Sequence, residues 1–187
     1  MPALACATAN FAAALVLAFI LAPATPLVAD LAERERYLRD HLLAWRVGWA
    51  TWMLAAATLL WCYAWWRSRV RASRTPLFIA GAGIVADWSA ELLLMVTAPE
   101  GYAAVAQPAF FLTGAIANGL YTIAGIQLTL ASPFGNGARA YAAFMWSAGL
   151  MLSAGAILGI PLVTAIASGE LFLLFCPWCV WLWRRFQ

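Results

Sequence analysis

The chain has 187 residues, 65% of them hydrophobic and 10% charged, with a mean hydropathy of +0.83; such a composition cannot clothe a water-soluble sphere in polar side chains and points to a polytopic membrane protein. At about 20 residues per crossing there is room for five to seven helical spans with short loops, and none for a separate soluble domain, so one all-α transmembrane domain is expected over residues 1–187. The formal net charge is +3 and all 11 basic residues are arginine, which removes lysine Schiff-base chemistry, while His41 as the only histidine removes bis-histidine haem and histidine metal clusters.

The first apolar run, 10–28, contains Pro23 and Pro26, which shorten or kink its far end. A cleaved signal peptide is the rival reading, but the residues before the run lack a positive n-region, so it is expected to remain as the first span. The stretch Asp30 to His41 mixes Asp30, Glu33, Glu35 and Asp40 with Arg34, Arg36 and Arg39 at helical spacing, which predicts a short interfacial helix. Span two is expected at 42–66, with Trp45 and Trp49 near one end and Trp61, Trp65 and Trp66 near the other, the distribution of interfacial anchors.

The segment 67–74 carries Arg67, Arg69, Arg71 and Arg74 and no acid. It could be read as a patch for nucleic acid or anionic lipid, but in a chain this apolar it reads as a topology signal. Span three is expected at 77–98, ending at the Pro99-Glu100-Gly101 turn, and span four at 108–131, ending at Ser132 to Gly137. Span five is expected at 141–160, where Gly155 and Gly159 form a small-xxx-small pattern that lets another helix approach closely. For span six, 163–184, two starts are open: either Pro161 begins the helix and leaves Glu170 within it, or the break falls at Ala167 to Glu170.

Six spans place Arg67, Arg69, Arg71, Arg74, Arg139, Arg184 and Arg185 on one side, and Arg34, Arg36, Arg39 and Arg46 on the other. The excess predicts that both termini are cytoplasmic, in a bacterial inner (plasma) membrane. No internal repeat is visible, so an inverted-repeat transporter is not supported.

The chemistry centres on Asp87 and Glu91, four residues apart inside span three and so on one helix face. A carboxyl at membrane depth costs about 2.5 to 3.5 kcal/mol on insertion scales, so both should point into the bundle. With spans three and four antiparallel, depth at 1.5 Å per residue brings Asp87 level with Asn118. The candidate polar site is therefore Asp87, Glu91, Asn118 and Tyr121, with Ser89 as a further member. Glu91 is expected to pair with Arg46 across spans two and three, leaving Asp87 as the proton-exchanging or ligand-facing group. The competing reading is that these side chains are interhelical hydrogen-bonding glue, worth on average about 0.6 kcal/mol each.

Cys176-Pro177-Trp178-Cys179 is a Cys-x-x-Cys that resembles redox motifs, but it lies within span six without a thioredoxin-like strand pattern, and its thiols are expected to stay reduced and unbridged. Cys62 should lie at a similar depth. Three such thiols could take a soft metal such as Cu(I), and Cys6 is near the same face; packing is the simpler reading, so neither a metal nor a cofactor is expected.

Three function classes remain. The first is a small protein that binds or transports a proton, a cation or a lipophilic or cationic small molecule at the carboxylates. The second is a membrane enzyme using carboxyl or thiol chemistry, and the third a subunit or assembly factor with other membrane subunits as partners. The expected surroundings are the lipid bilayer, with no nucleic acid. A cavity favours the first two classes and a filled core the third.

Overall fold

A computed structural model describes residues 1–187, all-helical and without strands. Six helices are long and apolar enough to cross a membrane: α1 (Pro2–Ala24), α3 (Leu42–Val70), α4 (Thr75–Thr97), α5 (Tyr102–Ala131), α6 (Asn136–Ile157) and α7 (Pro161–Arg185). The seventh, α2 (Leu31–Asp40), is the short helix expected in the charged loop. It starts where the Asp30 carboxylate accepts the Ala32 N–H at 2.9 Å, which satisfies one of the free donors of its first turn.

Several boundaries depart from the hydropathy reading for local reasons. Helix α1 begins at Pro2 rather than residue 10, because proline fits the first turn, where its missing N–H is not needed, and alanine-rich sequence carries the helix onward. It ends at Ala24, loosening through a π segment (Leu17–Leu21) and a 3-10 turn (Ala22–Ala24) as Pro23 arrives. Helix α3 continues past Trp66 through Arg67 and Arg69 and closes at Arg71, in the left-handed conformation at φ 54°. Helix α5 starts at Tyr102, ahead of the internal Pro108, and is interrupted by a π segment at Leu112–Ala117. Helix α6 starts at Asn136, five residues before the expected position, and ends at Ile157.

The open question at the last turn is decided by backbone hydrogen bonds. The Ile160 N–H donates to the Gly155 carbonyl at 2.9 Å and the Gly159 N–H to Ala156 at 3.4 Å, with Gly159 at φ +64°. That is a Schellman ending, in which glycine takes the left-handed position at little steric cost. Pro161 then opens α7, and Glu170 lies inside that helix. Gly159 is thus a turn residue with open space around it and not part of a packing stripe, whereas Gly155 faces Val163 and Thr164 of α7.

The six long helices form a closed ring in chain order, each packed on the next, with α1 completing it between α3 and α7. Large apolar side chains such as Leu43, Val47, Phe78, Val85, Val96, Phe144 and Leu173 are exposed on the outside. At the arginine-rich end the ring pinches, because α3 crosses to touch α5: the Tyr63 hydroxyl donates to the Tyr121 carbonyl at 3.0 Å and the Trp66 indole N–H to the Ser132 hydroxyl at 2.9 Å. A core of Tyr63, Trp66, Phe134, Trp146, Phe175 and Trp178 fills this end. At the other end α1 to α5 share a second core of Leu21, Leu38, Trp45, Leu94 and Tyr102, to which α6 and α7 add no buried residue, and the Tyr37 hydroxyl of α2 donates to the Ile20 carbonyl at 2.7 Å. The cavity lies between these two cores, and the second of them leaves α6 and α7 out.

Candidate functional site

Inside the ring is a cavity of about 1300 Å³ lined by residues of all six long helices. Thr25, Leu27, Arg34, Gln107, Ile160 and Pro161 line it toward the end opposite the arginine-rich one. Trp49, Trp52, Phe110 and Phe172 line its walls, and Tyr63, Trp146 and Phe175 form its floor. This exceeds the usual 300–1,000 Å³ range of ligand pockets while keeping their character, apolar walls with a few polar groups. Only two lining side chains are strongly ionisable, Asp87 and Arg34. Arg34 is already engaged: its Nε donates to the Val28 carbonyl at 2.6 Å and its Nη2 to Ala29 at 3.3 Å.

Asp87 comes from the buried stripe of α4 that also holds Pro76, Ala80, Gly83, Ala90, Glu91 and Leu94. Its exposure is 2%. One carboxylate oxygen accepts from the Thr113 hydroxyl and the other from the Tyr121 hydroxyl at 3.1 Å, and no basic side chain accompanies them. The expected partnership with Tyr121 is present. Thr113, which hydropathy and spacing did not single out, is the second partner. In an unbroken α-helix residues eight apart diverge by about 80°, but the π segment at 112–117 takes up one extra residue, so Thr113 and Tyr121 return to one face. A threonine five residues after Pro108, in an otherwise apolar run, is the only signal for it in the sequence.

Gly83, one turn before Asp87, makes room for the Tyr121 ring: a Cβ there would lie 2.7 and 2.9 Å from Cε1 and Cδ1. The small residue thereby sets the height at which the tyrosine hydroxyl meets the carboxyl.

Asn118 lines the same cavity but does not join Asp87. Its amide donates to the Gly149 carbonyl at 2.8 Å and to the Ser153 hydroxyl at 2.9 Å, both on α6. Asn118 thus turns away from Asp87 and ties α5 to α6. Ser89 points outward, its hydroxyl donating to the Val85 carbonyl at 2.6 Å.

The expected Glu91–Arg46 pair is absent. Both Glu91 oxygens are buried without a hydrogen-bond partner, and the Arg46 Nε donates to the Met95 carbonyl at 3.0 Å from an exposed position. Comparing depths alone ignored rotation, since Arg46 lies about 100° around α3 from buried Trp45 and therefore faces out. The α3–α4 register is held instead by two indoles, Trp45 donating to the Leu94 carbonyl and Trp88 to the Met53 carbonyl, each at 3.2 Å. In this antiparallel register Trp49 falls level with Glu91, and its indole N–H is also buried without a partner. A double-mutant cycle on Arg46→Met and Glu91→Gln is expected to give an interaction energy below about 0.5 kcal/mol in unfolding measurements. A coupling of several kcal/mol would mean that the two side chains pair after all.

All four cysteines are free. The sequence grouping of Cys62 with Cys176 and Cys179 is corrected in one member. The sulfurs of Cys6, Cys62 and Cys179 all lie within 4.8 Å of one another, whereas Cys176 is outside the group and half-buried. One turn separates Cys176 from Cys179 on an unbroken helix, and the Cys179 face is the one that meets α1 and α3.

No protein-family model, curated protein or solved structure matches this chain.

Proposed function

We propose that the chain is a small membrane protein that binds or carries a lipophilic cation in the cavity of its helix ring. The observation that carries this reading is the pairing of a large aromatic-walled cavity with a single carboxyl in its lining, Asp87, whose hydrogen-bond donors are two neutral hydroxyls. A carboxylate so placed lacks a counter-charge, and a ligand ammonium supplies one while its apolar body lies against Trp49, Trp52, Phe110 and Phe172. The cavity supports binding over the reading of a subunit with a filled core.

The apolar exterior and six long helices support residence in a bilayer. The seven arginines at one end against four at the other support an orientation with both termini in the cytoplasm and a bacterial inner membrane as the setting. A cysteine placed at Ser73 should then be labelled by a membrane-impermeant maleimide only after cells are opened. Labelling in intact cells would reverse the orientation.

Binding itself is tested by titrating the purified chain with a long-chain alkylammonium and with the uncharged alcohol of the same length, following tryptophan fluorescence. Saturable quenching by the amine at concentrations where the alcohol has little effect is the expected result. Equal response to both would remove the role given to the carboxyl.

A further inference from the structure

The thiol cluster at the arginine-rich end lies outside the lining of the cavity, although Asn10, which bonds to Cys6, reaches both. Cys6 comes from the second turn of α1, Cys62 from the last third of α3 and Cys179 from the last third of α7. Three of the chain's four cysteines thus converge from three separate helices. Each is at most 1% exposed, and Ala3, Ala7, Ala124, Trp66 and Trp178 belong to the same core. Buried cysteine often serves as a small apolar filler, but fillers need only pack and have no reason to bring their sulfurs into a triangle.

We propose that Cys6, Cys62 and Cys179 form a binding site for a soft monovalent ion, Cu(I), in three-coordinate sulfur ligation. Metal–sulfur bonds of about 2.3 Å in a trigonal plane set the sulfurs about 4 Å apart, and the present separations, all within 4.8 Å, reach that by small rotations of the side chains. The group holds no imidazole or carboxylate, so it lacks the fourth ligand that a structural zinc site takes, while an all-sulfur set selects Cu(I). The Asn10 amide donates to the Cys6 carbonyl at 2.9 Å and to its sulfur at 3.4 Å, which orients that ligand from outside the triangle. Burial among aromatic side chains keeps out water, in which unligated Cu(I) disproportionates to Cu(0) and Cu(II). Binding displaces one proton for each sulfur that ligates as thiolate and leaves the oxidation state of the metal unchanged.

The test uses the full-length chain in detergent under anaerobic conditions, titrated with Cu(I) in competition with bicinchoninate. One ion per chain is expected to be withdrawn from the chelator. Cys6→Ser, Cys62→Ser and Cys179→Ser should each weaken binding by more than about 100-fold, since losing a ligand outweighs the 10- to 100-fold cost of losing an outer partner. Cys176→Ser should bind as the parent does. X-ray absorption on the unaltered chain provides a readout that does not depend on the variants folding, and should show three sulfur neighbours and no nitrogen or oxygen. The proposal is overturned if the parent takes up no copper, if Cys176→Ser loses as much affinity as the other three, or if the absorption data show an ion bound by two sulfurs or by oxygen.

Discussion

Asp87→Asn is expected to weaken binding of a long-chain amine by roughly 30- to 4000-fold while the chain stays folded. The range follows from the about 2–5 kcal/mol lost when one member of a buried, hydrogen-bonded charge pair is neutralised, at 1.4 kcal/mol per tenfold. Folding should survive because asparagine keeps the shape and can still serve both hydroxyls: its carbonyl accepts from one, and its amide donates to the oxygen of the other, a hydroxyl being able to play either part. The uncharged alcohol should bind the variant and the parent alike. Thr113→Val and Tyr121→Phe each remove one hydrogen bond to the carboxylate, worth about 1.5–3 kcal/mol, and should produce smaller losses of amine affinity. If Asp87→Asn binds the amine as tightly as the parent, the cavity carboxyl is not the recognition group. Should it instead fail to fold, Asp87 is better understood as a hinge of the α4–α5 packing than as a binding residue.

Trp146→Ala should lower the stability of the chain by about 3–5 kcal/mol, the range for truncating a large buried aromatic. Trp146 is the floor of the cavity and the wedge between α5 and α6. Its indole N–H donates to the Thr129 hydroxyl at 2.9 Å, its ring lies 6.1 Å from that of Phe175, and its six-membered edge fills the notch left by Gly125. A Cβ on Gly125 would run into that edge and lie 2.8 Å from the Tyr63 hydroxyl, so Gly125→Ala should also destabilise, by about 1–3 kcal/mol. The two effects share one space. Combining them should therefore cost less than their sum, because the alanine methyl has room once the indole is gone. Unfolding in graded detergent mixtures, followed by tryptophan fluorescence with the loss of one emitter accounted for, measures all three. Strict additivity would mean that the notch and the wedge do not act together.

The same pair shows why the helix–helix contacts were hard to anticipate. Gly155 and Gly159 were the visible small-residue pattern, yet Gly159 is the left-handed residue of a turn. The close contacts lie where single small residues on one helix oppose large or branched ones on the next, Gly125 against Trp146 and Gly149 against Thr122. A spacing rule reads one helix at a time. Complementarity between two helices depends on both, and on their rotation.

Reading along the chain determined the features that depend on one residue and its immediate neighbours. The all-helical class, the six apolar stretches, the short helix of the charged loop and the inward placement of Asp87 and Glu91 all follow from hydropathy, local spacing and the cost of leaving a carboxyl in an apolar setting. Even the uncertain last turn was legible as a choice, because Pro161, with its fixed φ and missing N–H, suits the first turn of a helix. What only the tertiary structure decided is azimuth and convergence. A side chain's height is 1.5 Å times its position along a helix, but each residue also turns it by about 100°, so an unforeseen π segment or a tilt of the helix redirects it completely. That is why Thr113 rather than Asn118 completes the Asp87 site, why Arg46 faces out while Glu91 stays unpaired, and why Cys6, 56 positions from Cys62, joins the thiol cluster in place of Cys176. The cavity belongs to the same class: it exists because six helices close into a ring around a space that the cores at its two ends leave open, a property of the whole arrangement that no single stretch of residues carries.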